Sequence, residues 1–422
     1  MDHRRQTVPT PAAPTPRYFP WPKRVDIAAL CFAALVIAYC DRVNIAVAAP
    51  RIMAERHWDL AQMSWVLSGF FLGYAIFLIP SGLLVQRIGP YKVLLVSMAG
   101  WSLLTILTPI PRTLPGMFAA RVALGVFESA MFPCMNGLLA AWFPRHEYAR
   151  AAGFCWSGGY AGPILAFPVA EQILVTWGWP PIFWVFGLLG IVLLLVSRLV
   201  ARDTPPGAQE LAPQAPFLSN IRLLGRREVW AVFILHFSSN WFVYLLLTWL
   251  PTYLKEARHF SASFLGTASA LPFLAALCGA NIFAVVIAKL SARSSKTRVR
   301  KGILVFYVLG GLALMQLPRA GSPVAITATL IVAAALMTSA TPVYAAGSLE
   351  LAPGAAAALV GMQQAFANLA GIFAPVVSGY LARTSWNRVF AVAALICFAG
   401  TAAYIAMGSA EPLSSPEPES SA

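Results

Sequence analysis

Hydrophobic residues run along the chain in long stretches that short polar segments separate. A helix needs about 20 apolar residues to cross the hydrocarbon core of a bilayer. Twelve stretches are that long, and we number these predicted segments 1 to 12: residues 25–49, 61–85, 91–110, 115–140, 149–172, 180–200, 229–254, 261–289, 300–318, 323–345, 355–382 and 387–408. The pattern predicts an all-α membrane protein with twelve transmembrane helices.

The longest polar interruption, residues 201–228, falls after segment 6 and is rich in proline and charge. It is typical of a linker between two six-helix halves. The domains predicted from this pattern are a disordered tail (1–24), an N-terminal six-helix bundle (25–200), a linker (201–228), a C-terminal six-helix bundle (229–408) and a second tail (409–422).

The two halves echo each other weakly. Pro168 and Pro375 follow glycine-containing stretches in segments 5 and 11, and Trp179 and Trp386 open segments 6 and 12. Both pairs are separated by the same 207 residues. Equal offsets are expected of parallel repeats related by an axis along the membrane normal. We therefore expect two pseudo-symmetric bundles around a central cavity.

Composition agrees with a membrane protein, because 59% of the residues are hydrophobic and 11% are charged, against roughly 25% charged in soluble domains. The net charge of +14 is explained by topology. With a cytoplasmic N-terminus, twenty of the thirty lysines and arginines fall on the inner side and eight on the outer side. This positive-inside bias predicts two cytoplasmic termini in the inner (plasma) membrane, and nucleic acid is not needed as a partner.

Four charged residues fall at membrane depth. Asp41 and Arg42 lie in segment 1, and Arg121 and Glu128 lie in segment 4. Segments 7 to 12 hold no acid or base in their interiors except His236, which we expect to be a packing residue rather than a proton relay. Ionisable groups inside a membrane are expensive, and their default interpretation is functional. The ionic chemistry is thus predicted in the N-terminal half.

These residue types fit an anion site beside a proton carrier. An arginine stays protonated and presents a planar fork that matches a carboxylate or phosphate. A carboxylate in an apolar cavity can take up and release a proton near neutral pH, because desolvation disfavours its charged form. The structural alternative is that Asp41–Arg42 and Arg121–Glu128 are fixed ion pairs between segments 1 and 4. Buried pairs are weak stabilisers, so we favour the functional interpretation.

Four stretches carry a resemblance to a known family: CDRVNIAVAAP, GFFLGYAIFLIPSGLLVQRIGPYK, RVALGVFESAMFPCMNGLLAAWFP and LTWLPTYL. Together they resemble the anion:cation symporter family of the major facilitator superfamily, over nearly the whole chain. That family includes proton-coupled importers of sugar acids and related carboxylates, and the sialic acid and vesicular glutamate transporters. The resemblance implies the major facilitator fold and transport of an organic anion.

The resemblance also implies roles for single residues. Arg42 and Arg121 fall where the family engages the anionic group of its substrate, and Asp41 and Glu128 fall where it binds protons. Tyr74 matches a pocket tyrosine, and Asn368 matches a polar position of segment 11. With further polar and aromatic candidates added, the substrate-binding residues predicted are Arg42, Arg121, Tyr39, Tyr74, Tyr244, Gln363, Gln364 and Asn368.

Two loops depart from the superfamily pattern. The loop between segments 2 and 3 usually reads Gly-x-x-x-Asp-Arg-x-Gly, and here it is GLLVQRIG with Gln86 in place of the aspartate. The region between segments 8 and 9, AVVIAKLSARSSKTRVRKG, has no acid. Those aspartates contribute to gating contacts on the inner side, so their loss bears on gating and leaves the charged pocket intact.

We therefore predict a secondary active transporter of a small organic anion, a carboxylate or sugar acid, by proton symport and alternating access. One alternative is an exporter of an organic acid or toxic metabolite through the same pocket, and another is a polytopic membrane enzyme. The chain shows no nucleotide-binding loop and no CxxC or metal-ligand spacing. The expected partners are the anion, protons and the lipid bilayer; we expect a monomer with no cofactor or metal.

Overall fold

The computed structural model describes residues 21–201 and 217–413, which form an all-helical chain. The helices are α1 (Trp21–Arg56), α2 (Leu60–Ile88), α3 (Pro90–Leu107), α4 (Leu114–Glu128), α5 (Met131–Trp142), α6 (Arg145–Trp177), α7 (Pro180–Val200), α8 (Arg227–Thr252), α9 (Ala262–Ser291), α10 (Lys296–Gln316), α11 (Pro323–Met337), α12 (Thr341–Leu351), α13 (Ala356–Ala382) and α14 (Trp386–Met407). Short 3₁₀ turns at Phe217–Gly225, Leu317–Arg319, Thr338–Ala340 and Pro353–Ala355 and a π-helical turn at Tyr253–Ala257 complete the described chain.

The predicted tails and linker lie largely outside the described residues. Where they are described, they join the bundles: residues 21–24 are the first turn of α1, and residues 217–225 form a 3₁₀ helix before α8. The first residues of the C-terminal tail also contact the C-terminal bundle, since the Leu413 amide donates to the Leu351 carbonyl (2.8 Å).

Eleven helical stretches of the described chain are long and apolar enough to cross a membrane, with α4–α5 and α11–α12 each counted as one stretch. Predicted segment 5 corresponds to α6, which has 33 residues and lies alongside α1 and α9. This helix is not among the eleven, because its apolar run contains glycines, two prolines and the polar pair Glu171–Gln172. The predicted fold class is confirmed: this is an all-α membrane protein whose twelve helical segments form two bundles.

The two bundles repeat one packing scheme. In the N-terminal bundle, α1 packs on α6, α2 on α4 and α3 on α7. In the C-terminal bundle, α8 packs on α13, α9 on α11 and α10 on α14. Helix by helix, α8–α14 therefore take the places of α1–α7. The bundles meet through α2 with α13, α6 with α9 and α1 with α8, so a site on α1 faces the other bundle.

Segments 4 and 10 are each interrupted at the same point, which corrects their prediction as continuous helices. Pro133 has no N–H to donate to the Ser129 carbonyl, and Pro342 has none for Thr338, so each proline breaks the helix one turn before it. The side-chain hydroxyls of Ser129 and Thr338 donate to carbonyls three residues earlier (2.7 and 2.6 Å). Glu128 is consequently the last residue of α4, at the interruption of segment 4.

Glycines in each bundle allow the second and fourth segments to approach closely. A Cβ on Gly73 of α2 would lie 2.0 Å from the carbonyl oxygen of Val122 in α4. A Cβ on Gly279 of α9 would lie 2.6 Å from the carbonyl oxygen of Ala335 in α11. Side chains at these positions would force the helices apart, and in the N-terminal bundle that would move the helix carrying Arg121 and Glu128.

Candidate functional site

The centre of the candidate site is an ion pair between α1 and α4. The Arg42 Nε donates to Glu128 Oε1 (2.6 Å), and its NH2 lies 2.5 Å from the same oxygen. Arg42 is 3% exposed and Glu128 is fully buried. The second carboxylate oxygen, Glu128 Oε2, is buried and has no hydrogen-bond partner among the described residues. An unpaired buried carboxylate oxygen is costly while charged, so this oxygen is a position where a proton can reside.

Aromatic rings surround the Arg42 guanidinium. Its central carbon lies 4.5 Å from the ring centroid of Tyr39 and 5.0 Å from those of Phe70 and Tyr74. A cation at these distances is attracted to the ring face, and more strongly when it is desolvated. The rings hold the guanidinium in one place, and Glu128 takes its Nε–NH2 edge.

Asp41 and Arg121 lie beside this ion pair inside the N-terminal bundle, and Arg121 is within electrostatic range of Glu128. The Arg121 NH1 donates to the backbone carbonyl of Asp41 (3.3 Å), and both side chains are almost completely buried. The two carboxylate oxygens of Asp41 have no partner among the described residues, and Thr105 of α3 lies beside them. Adjacent residues of a helix point about 100° apart, which is why Asp41 and Arg42 reach different surroundings. The ion pairs Asp41–Arg42 and Arg121–Glu128, considered as the structural alternative, are not those the structure shows.

The C-terminal bundle contributes neutral polar groups. Tyr244 of α8 donates from its hydroxyl to Asn368 Oδ1, and the Asn368 amide donates to the Gln364 carbonyl (2.7 Å). The Tyr244 ring lies 4.4 Å from the ring of Phe71 in α2, across the interface between the bundles. Tyr244 is also within electrostatic range of Arg42. The structure thus places Tyr244 and Asn368 opposite the arginine.

Gln363 belongs to a second polar group in the same bundle. Its Nε2 lies 3.0 Å from His236 Nδ1 and donates to the Tyr344 carbonyl (3.2 Å). The His236 ring is stacked on Tyr344 with a centroid distance of 3.9 Å. The predicted residue Gln364 meets Asn368 through its backbone carbonyl only.

Several residues of the site were not among the predicted ones. Phe70 and Tyr344 are ordinary aromatic residues in apolar segments, and nothing in their spacing singles them out. Thr105 is one of many hydroxyl residues in predicted helices. His236 carried a signal, since it is the single histidine at membrane depth, yet its partner Gln363 is 127 residues away. These residues join the site through contacts that exist only in the packed helices.

Other site types find little support in this part of the chain. In residues 21–201 and 217–413, no three or more His, Cys, Asp and Glu side chains are grouped so as to hold a metal ion. The six cysteines are free thiols, five of them buried. What the site offers is the buried Arg42 guanidinium paired with Glu128, the buried Arg121 beside them, aromatic rings around Arg42 and neutral hydrogen-bonding groups across the bundle interface.

Comparison with known proteins matches the chain to the superfamily that its motifs resemble. The profile of the Major Facilitator Superfamily matches residues 31–361. A chloroplastic ascorbate transporter of Arabidopsis thaliana is 30% identical over 410 residues, 90% of this chain and 75% of the relative. The probable sulfoacetate transporter SauU of Cupriavidus necator is 30% identical over 361 residues, 82% of this chain and 84% of the relative.

A solved structure supports the fold independently of sequence. The crystal structure of a bacterial homologue of the human lysosomal transporter Spinster superposes with a TM-score of 0.79. The alignment covers 92% of this chain and 98% of the other, at 15% sequence identity. At that identity the likeness shows the fold alone.

Proposed function

The chain belongs to the Major Facilitator Superfamily, as its motifs predicted, and from that premise we propose that it is a secondary active transporter that carries a small organic anion together with protons. Its relatives are anion transporters, and the names of two of them contain ascorbate and sulfoacetate. Both are small organic anions. The proposal assigns this chain a substrate of the same class, bound between the two bundles.

The observation that carries the proposal is the buried pair of Arg42 and Glu128. The guanidinium is fully desolvated, cradled by aromatic rings and opposite Tyr244 of the other bundle. Its anion is one that the protein itself supplies. In this proposal the substrate carboxylate takes the Nε–NH2 edge of Arg42, which Glu128 occupies here, and so displaces Glu128 from it.

Displacement couples the anion to a proton. A charged Glu128 deprived of Arg42 would be a buried, unpaired carboxylate, which is strongly unfavourable. A proton on Glu128 removes that cost and frees Arg42 for the substrate. Anion binding therefore favours proton binding at Glu128, and by linkage proton binding favours the anion to the same extent. The two ligands then cross the membrane together as the bundles exchange access.

The Asp41–Arg121 group takes supporting roles in this proposal. Asp41 is a second proton-binding residue, since both of its buried carboxylate oxygens lack partners in the described chain. Arg121 holds the backbone of α1 next to Arg42 through the Asp41 carbonyl, and it is the second arginine proposed to bind the substrate. Tyr39, Tyr74, Tyr244, Asn368, Gln363 and Gln364 complete the substrate-binding residues.

The orientation and setting complete the proposal. The excess of lysine and arginine on one side supports cytoplasmic termini, and we propose a monomer in the inner membrane of the cell. With this orientation, a higher proton concentration outside drives uptake. A carrier working in the opposite direction would use the same groups, so direction is a matter for measurement.

Uptake into proteoliposomes tests the proposal. Purified protein is reconstituted, and accumulation of labelled ascorbate and sulfoacetate is followed with an acidic exterior, with equal pH, and with a sodium gradient at equal pH. We expect accumulation above equilibrium with the acidic exterior only, and its abolition by a protonophore. Accumulation that follows the sodium gradient, or that ignores both gradients, would contradict proton coupling; no transport of any organic anion would contradict the function itself.

A further inference from the structure

The turn between α9 and α10 carries positive charge that neither the charged pair nor the proposed coupling uses. Residues 289–301, which we call the basic turn, contain six lysines and arginines and no acid. The stretch 207 residues earlier, residues 82–94 at the turn between α2 and α3, contains two. Two charges are thus enough at the corresponding place of the N-terminal bundle, on the same predicted side of the membrane. The surplus belongs to the C-terminal bundle.

Two of the six charges are already paired, and the others are open to a partner. The Arg300 NH2 lies 2.7 Å from Glu350 Oε2, and Lys296 Nζ lies 3.6 Å from Glu350 Oε1. Four side chains of the basic turn make no ion pair within the described chain: Lys289, Arg293, Arg298 and Lys301. The first three of these are exposed. Glu411 lies in the C-terminal stretch that contacts α10 and offsets one of these charges.

The basic turn lies where the lipid-facing sides of α9 and α10 end. On α9, Ile282 and Val285 are 59% and 53% exposed, and Lys289 follows on the same face one turn later. On α10, Arg298 shares a face with Val305, which lies seven residues further on and is 53% exposed. Large apolar side chains exposed on a transmembrane helix face lipid acyl chains, and a basic side chain at the end of such a face reaches the headgroups. Lys289 and Arg298 therefore lie at the level of lipid phosphates.

We propose that the basic turn binds the headgroups of anionic phospholipids in the adjoining leaflet. Clusters of about four to eight lysines and arginines just beyond a transmembrane helix attract anionic lipid, and guanidinium groups match a phosphate in particular. The positive end of the α10 dipole lies at the same surface, because α10 begins at Lys296. A phospholipid also covers the apolar faces next to the charges with its acyl chains, which free phosphate cannot do. The inference goes beyond the proposed function and does not depend on the substrate.

A fluorophore on Cys278 gives a local test. Cys278 of α9 is exposed, whereas the five other cysteines are buried. It lies on the face of Ile282 and Val285, eleven residues before Lys289, which is ~16 Å along the helix and about the thickness of one hydrocarbon leaflet. A lipid whose headgroup binds Lys289 brings its acyl chains past this position. The labelled protein is reconstituted in phosphatidylcholine vesicles with phosphatidylglycerol or phosphatidylcholine brominated on the acyl chains, and quenching measures their relative binding.

We expect the wild type to bind phosphatidylglycerol at least about 5-fold more tightly than phosphatidylcholine, since a single basic residue near an anionic lipid surface contributes a factor of about 5. High salt should weaken this preference. The triple variant Lys289→Gln, Arg293→Gln, Arg298→Gln should reduce it to within about 2-fold, because the unpaired charges are largely removed while the contacts of Glu350 stay intact. The charge-preserving variant Lys289→Arg, Arg293→Lys, Arg298→Lys should keep it.

The matched control is Arg222→Gln, Arg226→Gln, Arg227→Gln, which removes the same charge before α8, where Arg226 and Arg227 lie within 3.6 Å of Glu228. It should keep the preference. A wild type without preference, or a glutamine variant of the basic turn that keeps it, would overturn the proposal. Equal loss in the control would do the same, since net charge would then attract the lipid. Loss of the preference on addition of inorganic phosphate would assign the turn to a soluble anion. Every one of these outcomes leaves the transporter proposal standing.

Discussion

The two bundles share one architecture and differ in chemistry. Each interrupts its fourth segment one turn before a proline, Pro133 in one and Pro342 in the other, and each joins its second and fourth segments through a glycine. The N-terminal bundle holds two arginines and two carboxylates at depth. The polar groups described at the same depth of the C-terminal bundle are Tyr244, Asn368, Gln363 and His236.

In the proposed symporter the difference separates two tasks. Carboxylates respond to protons, and the two beside Arg42 and Arg121, Asp41 and Glu128, lie in the N-terminal bundle. Neutral hydrogen-bonding groups recognise the shape of a ligand without competing for its charge, and they occupy the other bundle. An anion bound to Arg42 alone touches one bundle; an anion that also reaches Tyr244 touches both. Access can therefore be coupled to occupancy through the ligand itself.

The largest effect is expected at the centre of the charged bundle. Arg42→Gln removes the guanidinium charge and the charge-assisted hydrogen bonds that it would donate to a substrate carboxylate, ~1.5–3 kcal/mol each, so anion affinity should fall by about 100-fold or more. Arg42→Lys keeps the charge and loses the planar fork, so it should remain strongly impaired. Binding is measured by titration of the purified protein. The matched control is Arg51→Gln, an exposed arginine of the same helix, and near-normal affinity in Arg42→Gln would remove Arg42 from the site.

The close glycine contacts predict different effects of alanine substitution in the two bundles. Gly73→Ala should destabilise the protein more than Gly279→Ala, because the added Cβ would lie 2.0 Å rather than 2.6 Å from a backbone carbonyl oxygen. Overpacking costs ~1–3 kcal/mol. Only Gly73→Ala should also weaken anion binding, since α4 carries Glu128. Thermal unfolding and titration are compared with Gly82→Ala, which has open space; equal effects of the first two on affinity would show that helix spacing does not control the pair.

A smaller effect is expected from the neutral polar groups of the C-terminal bundle. Tyr244→Phe removes the hydroxyl that donates to Asn368, a bond worth ~1 kcal/mol, and affinity should fall about 5-fold. The pH dependence of uptake should not move, because the variant leaves every acid and base in place. Initial uptake rates across a pH series check both points. A displaced pH profile would mean that the C-terminal bundle takes part in proton coupling.

The least effect is expected from the linker. Residues 205–216 lie outside the described chain, and their proline-rich sequence predicts a connection that contributes nothing to the site. Their replacement by a Gly/Ser spacer of equal length should leave transport rates within about 3-fold, because such spacers still join the two halves. Competition with unlabelled anions measures specificity in the same vesicles. A change in specificity would mean that the linker reaches the substrate path.

Hydropathy alone predicted the helical segments well, because each must present about 20 apolar residues to lipid. The depth of Arg42 and Glu128 was also visible, since charges in such stretches stand out. Their pairing was not, because it depends on how α1 rotates against α4, and the two residues are 86 positions apart. The contact of His236 with Gln363 depends in the same way on the packing of α8 against α13.

The most direct test compares proton-driven accumulation with substrate exchange in proteoliposomes containing Glu128→Gln or Asp41→Asn. Glutamine resembles the protonated carboxyl, so Glu128→Gln should leave Arg42 available, keep exchange of anion across the membrane and lose accumulation driven by a pH gradient. Asp41→Asn should impair accumulation less if it is the secondary proton site. Full proton-driven accumulation in Glu128→Gln, together with its loss in Asp41→Asn, would contradict the account and assign coupling to α1.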